Sequence, residues 1–120
     1  ALPIFFQQIE KEILAHGEME EQVFYPAVEE FAPGQTEHAI KEHQELKQIL
    51  SEMLQFEVDD DEFDTRLMKL MERVQNHVQE EESSNGILAQ ARKQFDDGRL
   101  QELAKQMQQV RRNSEEELAA

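Results

Sequence analysis

Two segments of this chain place a histidine and a glutamate where a helix should bury hydrophobic side chains. The pairs are His16 with Glu20 and His77 with Glu81, and residues four apart in an α-helix differ by only about 40° in direction, so each pair projects from one face. That face is otherwise apolar: it comprises Phe6, Ile9, Ile13, His16, Glu20, Phe24 and Ala27 in the first segment, and Phe63, Leu67, Leu70, Val74, His77 and Glu81 in the second. Burying an unpaired carboxylate costs several kcal/mol, so such groups are normally paired or bound to a metal. The pattern predicts helices packed around a metal-binding interior.

Length and composition are typical of one all-α domain. The chain has 120 residues, enough for a single domain spanning 1–120, and it contains only four Gly and three Pro. Helices are predicted for 3–30, 36–58 and 61–82 and for a stretch after the Asp97-Gly98 break, and a short apolar turn or helix is predicted for 87–95. Thr36 is the predicted N-cap of the second helix, and the tail from Asn113 is predicted to fray. Short connections between them predict an up-down antiparallel helical bundle.

Charge and cysteine content exclude several classes of function. The formal net charge of −15 repels phosphate backbones and anionic lipids, so neither nucleic acid nor a membrane is an expected partner. The chain has no Cys, which excludes disulfides and thiolate ligands, so any metal site must use nitrogen and oxygen donors. No apolar run reaches the roughly 20 residues of a transmembrane helix, and no signal peptide is recognisable, so we expect a cytoplasmic protein.

A third histidine, His43, lies on the apolar face of the second segment, with Ala39, Leu46, Leu50 and Met53. A bundle would therefore bring together five nitrogen and oxygen donors, namely His16, Glu20, His43, His77 and Glu81. Such a set suits iron best, and manganese or zinc are alternatives. The spacing alone is weak evidence, because His-Glu pairs also stabilise exposed helices by a few tenths of a kcal/mol.

His38 and Glu42 have the same spacing as the other two pairs. His38 is nevertheless rotated by about 140° from His43 on helical geometry, so it falls off the apolar face. We therefore predict that His38 is a surface residue and not a ligand of the buried group.

Three stretches of the chain resemble the hemerythrin-like, or HHE cation-binding, domains. They are His16-Gly-Glu-Met-Glu20-Glu-Gln-Val-Phe-Tyr25-Pro26, Glu42-His43-Gln-Glu-Leu-Lys and His77-Val-Gln-Glu-Glu81-Glu82. The resemblance implies a hemerythrin-like four-helix bundle with a non-haem di-iron centre, whose ligands would be the same five residues, with Glu20 and Glu81 as bridges. Residues 2–82 would correspond to the family's helices two to four, and 87–120 to a C-terminal helical extension.

The family's first helix, which carries a further histidine ligand, has no counterpart before residue 1. Three explanations stay open: the helix has been trimmed from the chain, another subunit supplies it, or His38 replaces its ligand. A bundle without one wall would expose Phe5, Ile9 and Ile13, so we expect a homodimer that completes it.

Two functions follow as hypotheses. The first is a non-haem iron protein that binds O2, NO or iron itself for sensing, storage or stress response, without being a committed enzyme. The alternative is a metal-free, acidic helical module for protein interaction or dimerisation. Burial and convergence of the three histidines would favour the first hypothesis.

Overall fold

The computed structural model describes residues 4–57 and 60–119, and the predictions that concern residues 1–3, 58, 59 and 120 lie outside this part. The described residues form helices and connecting turns, with no strand among them. The helices are α1 (Ile4–Met19), α2 (Tyr25–Val28), α3 (Pro33–Met53), α4 (Asp61–Glu82), α5 (Ile87–Gln94) and α6 (Asp97–Ala119). A π-helical segment, Glu20–Phe24, joins α1 to α2 and is called the π-turn below.

Helix boundaries agree with the sequence in α4 and differ in α3 and α6. The Asp60 carboxylate caps α4 by accepting from the Glu62 N–H at 3.0 Å. Thr36 is not the N-cap of α3, because that helix begins at Pro33, whose missing N–H costs nothing in a first turn, and the Thr36 hydroxyl donates to the Pro33 carbonyl. The predicted fraying from Asn113 is also wrong, since α6 continues to Ala119 and buries Ser114.

Helices α3 and α4 lie antiparallel, as the short connection predicts. Ion pairs join them along their length: Arg66 bonds Glu52 and Arg73 bonds Glu45, each at 2.7 Å, so the partner on α3 moves backwards as α4 advances. Further along the same pair of helices, His77 lies beside Glu42. This arrangement brings His43 and His77 to the same level of the bundle.

Helix α6 packs against the side of α1 that the sequence analysis expected to be uncovered. It packs along α1 and the π-turn, starting near the edge-to-face contact of Phe95 with Phe31 and burying Leu103 on the way. Ile9 and Ile13 are half-buried, and Phe5 is exposed. The fourth wall of the bundle thus comes from the C-terminal helix of the same chain, and a homodimer stays a prediction.

Two apolar clusters fill the bundle. One is formed where α1, α3 and α4 meet around Phe6, Met53 and Phe63, and the other where α2, α3 and α5 meet around Tyr25, Val28 and Ile87. Ionisable side chains occupy the level between the clusters. None of the helices in the described part of the chain combines the length and apolar character needed to cross a bilayer.

Candidate metal centre

The π-turn sets the geometry of the first helical arm, the continuous stretch formed by α1, the π-turn and α2. Its wider turn is closed by a bond from the Tyr25 N–H to the Glu20 carbonyl, five residues back. In a regular α-helix Tyr25 would be turned about 140° away from Glu20, whereas the i to i+5 bond places both on the inner face. Pro26 follows directly, and since proline lacks an N–H and clashes with the carbonyl four residues before it, it opposes regular α-helix at this point.

All five predicted donors come together: Glu20, His43, His77 and Glu81 are buried, and His16 reaches Glu20 from the edge of the centre with its side chain 42% exposed. Glu20, His43 and His77 form one group and His16, Glu20 and Glu81 a second, with the donor atoms of each group within 4.8 Å of one another. Glu20 belongs to both, because its Oε1 lies 2.9 Å from His16 Nε2, 3.2 Å from His43 Nε2 and 3.4 Å from His77 Nε2. The two groups therefore share one carboxylate, as two neighbouring cation positions would.

Two further glutamates fix the orientation of the buried imidazoles. His43 Nδ1 lies 3.1 Å from Glu21 Oε2, and His77 Nδ1 lies 2.9 Å from Glu42 Oε1. Because an ionised carboxylate only accepts, each Nδ1 must donate its proton outward. The Nε2 atoms, 3.1 Å apart, both point inward toward Glu20, and a metal ion that replaced the protons there would find two imidazole nitrogens already oriented.

The two buried carboxyl groups have opposite protonation tendencies. Burial alone would raise the pKa of Glu20, but hydrogen bonds from His16, His43 and His77 outweigh it and lower the pKa. Burial raises the pKa of Glu81, and the hydrogen bond and negative charge of Glu20 raise it further. Glu81 thus holds a proton beside the ionised Glu20.

The imidazole of His77 also retains a proton. Burial opposes its charged form, but hydrogen bonds to Glu20 and Glu42 prevail and raise the pKa of His77 to about 9. Protons on Glu81 and His77 therefore offset part of the negative charge of this centre. A metal ion would take over that role and release them.

Tyr25 is a site residue to which the sequence analysis gave no role. Its hydroxyl donates to Glu81 Oε2 at 2.6 Å and lies 3.2 Å from His43 Nε2. Burial, followed by the charges of Glu20 and Glu81, raises the pKa of Tyr25, so the hydroxyl stays a donor. The signal available in the sequence was the Tyr25-Pro26 pair itself, since a proline at this point of a helix indicates a local departure from α geometry.

A family model for the hemerythrin HHE cation binding domain matches residues 3–91, which include all of these side chains. The chain belongs to the hemerythrin HHE cation-binding family. A DNA nickase of Nostoc sp. (strain PCC 7120) is 37% identical over 81 residues, an alignment that covers 67% of this chain and 23% of that protein. The hemerythrin-like chain thus spans less than a quarter of that relative's length. No solved structure matches it.

The donor set of this hemerythrin domain fits the cation binding that the family model describes. Three imidazoles and two carboxylates converge, His43 and His77 direct Nε2 inward, and outer carboxylates hold those two rings in place. His38 lies outside this set, because its side chain is 63% exposed and its Nε2 faces Glu80 and Glu42. The prediction that His38 is a surface residue is confirmed.

Proposed function

We propose that this hemerythrin-like protein holds a pair of non-haem iron ions and binds a small diatomic ligand such as O2 or NO, in sensing, storage or stress response. His16, Glu20, His43, His77 and Glu81 would hold the metal, with Glu20 shared between the two positions. The observation that carries the proposal is the convergence of both donor groups on that one carboxylate. Bound iron would supply a reversible change of oxidation state and open coordination positions, because five protein donors do not fill two octahedral ions.

A cavity beside the three histidines supports the binding of a small ligand. Its volume is about 290 Å³, and His16, His43 and His77 line one side of it. Its other walls include Ile13, Leu46 and Val74, so the lining is largely apolar. Apolar walls favour a neutral diatomic molecule over a hydrated ion. Tyr25 would hold Glu81 in place, and Glu21 and Glu42 would hold the imidazoles.

The name of the Nostoc relative suggests DNA as a substrate, but we do not extend that activity to this chain. The alignment covers 23% of that protein. The net charge of −15 also repels a phosphate backbone. We therefore propose no nucleic-acid partner for this domain.

The alternative function, a metal-free interaction module, is favoured by one surface of α4. Met68, Met71 and Val78 lie on one side of that helix and are 74%, 47% and 38% exposed. Exposed apolar side chains on a shared face are typical of docking surfaces. Such a surface is compatible with the metal centre, so metal content decides between the two hypotheses.

The test is metal analysis after anaerobic loading with ferrous iron and desalting, followed by absorbance on exposure to air. We expect iron to be retained with an oxo-bridge band in the unaltered chain. His77→Ala should abolish retention, whereas His38→Ala should leave the final iron content nearly intact. Folded protein without retained iron would contradict the proposal and favour the interaction module, and equal loss from both variants would contradict the assignment of the ligands.

A further inference from the structure

A second group of donors lies at the surface, outside the buried centre. His38 and Glu42 are one turn apart on α3, and Glu80 faces them from α4. His38 Nε2 lies 3.1 Å from Glu80 Oε2 and 3.6 Å from Glu42 Oε2. The three donor atoms lie within 4.8 Å of one another, which is the spacing that one ion could span.

The balance of donors and acceptors in this group favours a cation over a simple surface ion pair. The Nε2 atom of His38 can give its single proton to one carboxylate, and the second carboxylate then faces a like charge nearby. Exposed ion pairs of this kind contribute little to the free energy of folding, so the pairing does not explain why two carboxylates converge. One imidazole and two carboxylates are, in contrast, a common donor set for divalent first-row metals.

Two features connect this group to the buried centre. Glu42 contributes to both, since its Oε2 faces His38 while its Oε1 accepts from His77 Nδ1. A groove of about 660 Å³ is lined by His38, Glu42, Glu80 and also by Glu81, a donor of the buried centre. Only the Glu42 side chain would thus separate an ion held by the surface group from His77 in the buried centre.

We propose that His38, Glu42 and Glu80 form an outer site for divalent cations that delivers metal to the buried centre. The delivery role rests on the proposed function, whereas cation binding at the surface does not. An acidic groove concentrates cations and raises their rate of arrival by about tenfold or more. Loss of the outer site should therefore slow loading without changing the amount of metal finally held.

Tyr25 allows the arrival of metal to be followed directly. It is the only Tyr in a chain without Trp, and its hydroxyl bonds Glu81 in the buried centre. Quenching of tyrosine fluorescence after rapid mixing with Co2+ therefore follows the arrival of metal beside Tyr25. Binding at the surface is followed separately, by broadening of the His38 ring resonances with substoichiometric Mn2+.

Three variants of the full chain separate the two steps. His38→Ala and Glu80→Gln remove outer donors, and Glu72→Gln is the matched control, because it removes the same charge from an exposed position of α4. Glu42 is left unchanged, since it also holds His77. We expect about tenfold slower quenching of Tyr25 in the first two variants, with an unchanged amount of cobalt retained in the buried centre after desalting, and the rate of the unaltered protein in Glu72→Gln.

Three results would overturn parts of this inference. Unchanged His38 resonances in the presence of Mn2+ would exclude the outer site. Quenching at the same rate in His38→Ala, Glu80→Gln and the control would exclude delivery. Broadened His38 resonances with no cobalt retained in the interior would instead contradict the proposed function and delivery together, and would support the outer site by itself.

Discussion

Glu20 and Glu81 lie in the same buried centre, yet only Glu20 is ionised. Glu20 accepts hydrogen bonds from three imidazoles, which lower its pKa, while Glu81 faces Glu20 and the Tyr25 hydroxyl and keeps its proton. Two carboxyl groups in contact repel each other when both are ionised, so one of them keeps a proton and their pKa values separate. Charge in this centre is therefore balanced by protons that a metal ion can displace.

The protonated centre predicts how stability depends on pH in the presence of a chelator. The pKa of His77 is raised from 6.5 to about 9, so between these values the folded chain holds a proton that the unfolded chain has lost. The contribution of His77 to stability is then fully present below pH 6.5 and is lost as pH rises to about 9. The raised pKa of Glu81 acts in the same direction, and its contribution begins to fall above the ordinary value of 4.5. Urea denaturation at a series of pH values checks this.

Metal loading should remove or reverse that dependence, because bound metal favours the deprotonated donors. The loaded protein is thus the control for the chelated one. Glu20 acts oppositely at low pH: its lowered pKa contributes stability that is lost as pH falls below its ordinary value of 4.5. A chelated protein that gains stability between pH 6.5 and 9 would contradict the assignment of protons to His77 and Glu81.

Tyr25→Phe tests the tyrosine as a support for Glu81. The variant keeps the ring in the apolar cluster and removes the hydroxyl that bonds Glu81. Loss of a supporting hydrogen bond of this kind typically costs about 10-fold to 100-fold in metal affinity. We expect weaker Co2+ binding by d–d absorbance at an unchanged number of sites. Unchanged affinity would show that Tyr25 contributes packing only.

At the scale of elements, turns at two helix ends determine where donors point. The π-turn brings Tyr25 onto the inner face, and the turn after α4 fixes the end of the helix that carries Glu81. Gly86 in that turn packs on the last carbonyls of α4, and a Cβ added there would lie 2.4 Å from the Glu80 carbonyl oxygen and 2.6 Å from that of Glu81. Only glycine permits this close approach.

Gly86→Ala should therefore displace the end of α4. We expect a loss of about 2 kcal/mol in the free energy of unfolding, as for other overpacked positions, together with weaker metal retention because Glu81 moves. Gly34→Ala is the control, since an added Cβ there meets nothing within 4 Å. Chemical denaturation of both variants checks the difference, and equal stability would show that the turn can relax without cost.

Helical periodicity was sufficient to predict the bundle and the bounds of α4. It also predicted that five donors face one centre, because the direction of each depends on local α geometry; these donors are His16, Glu20, His43, His77 and Glu81. It failed at Tyr25, since the π-turn changes the period within five residues. It also could not reveal Glu21 as the partner of His43, because that contact joins two helices. Assignment of the five residues as ligands stays a prediction.

At the scale of the molecule, the bundle is closed by a helix from beyond the matched family region. The match ends at residue 91, whereas α6 runs from Asp97 to Ala119 and lies along α1 and the π-turn. Arg111 of α6 lines the same cavity as Ile9 and His16. Enclosure of the metal centre therefore depends on this helix.

Leu103→Ala tests whether α6 is an integral part of the core. Leu103 is 3% exposed, and truncation of such a leucine typically costs about 2–5 kcal/mol through lost burial and the cavity left behind. Leu54→Ala is a matched control, because Leu54 is 56% exposed. Thermal and urea unfolding measure both changes. A Leu103 variant as stable as the control would show that α6 does not pack on the bundle in solution.

The helix that closes the bundle supplies no donor: in the described part of the chain, every member of the His and Glu groups lies on the first helical arm, α3 or α4. Metal ligation and closure of the bundle thus depend on different stretches of the chain. Exchange of α6 for another amphipathic helix would then change how far solvent reaches the centre while every donor stayed in place.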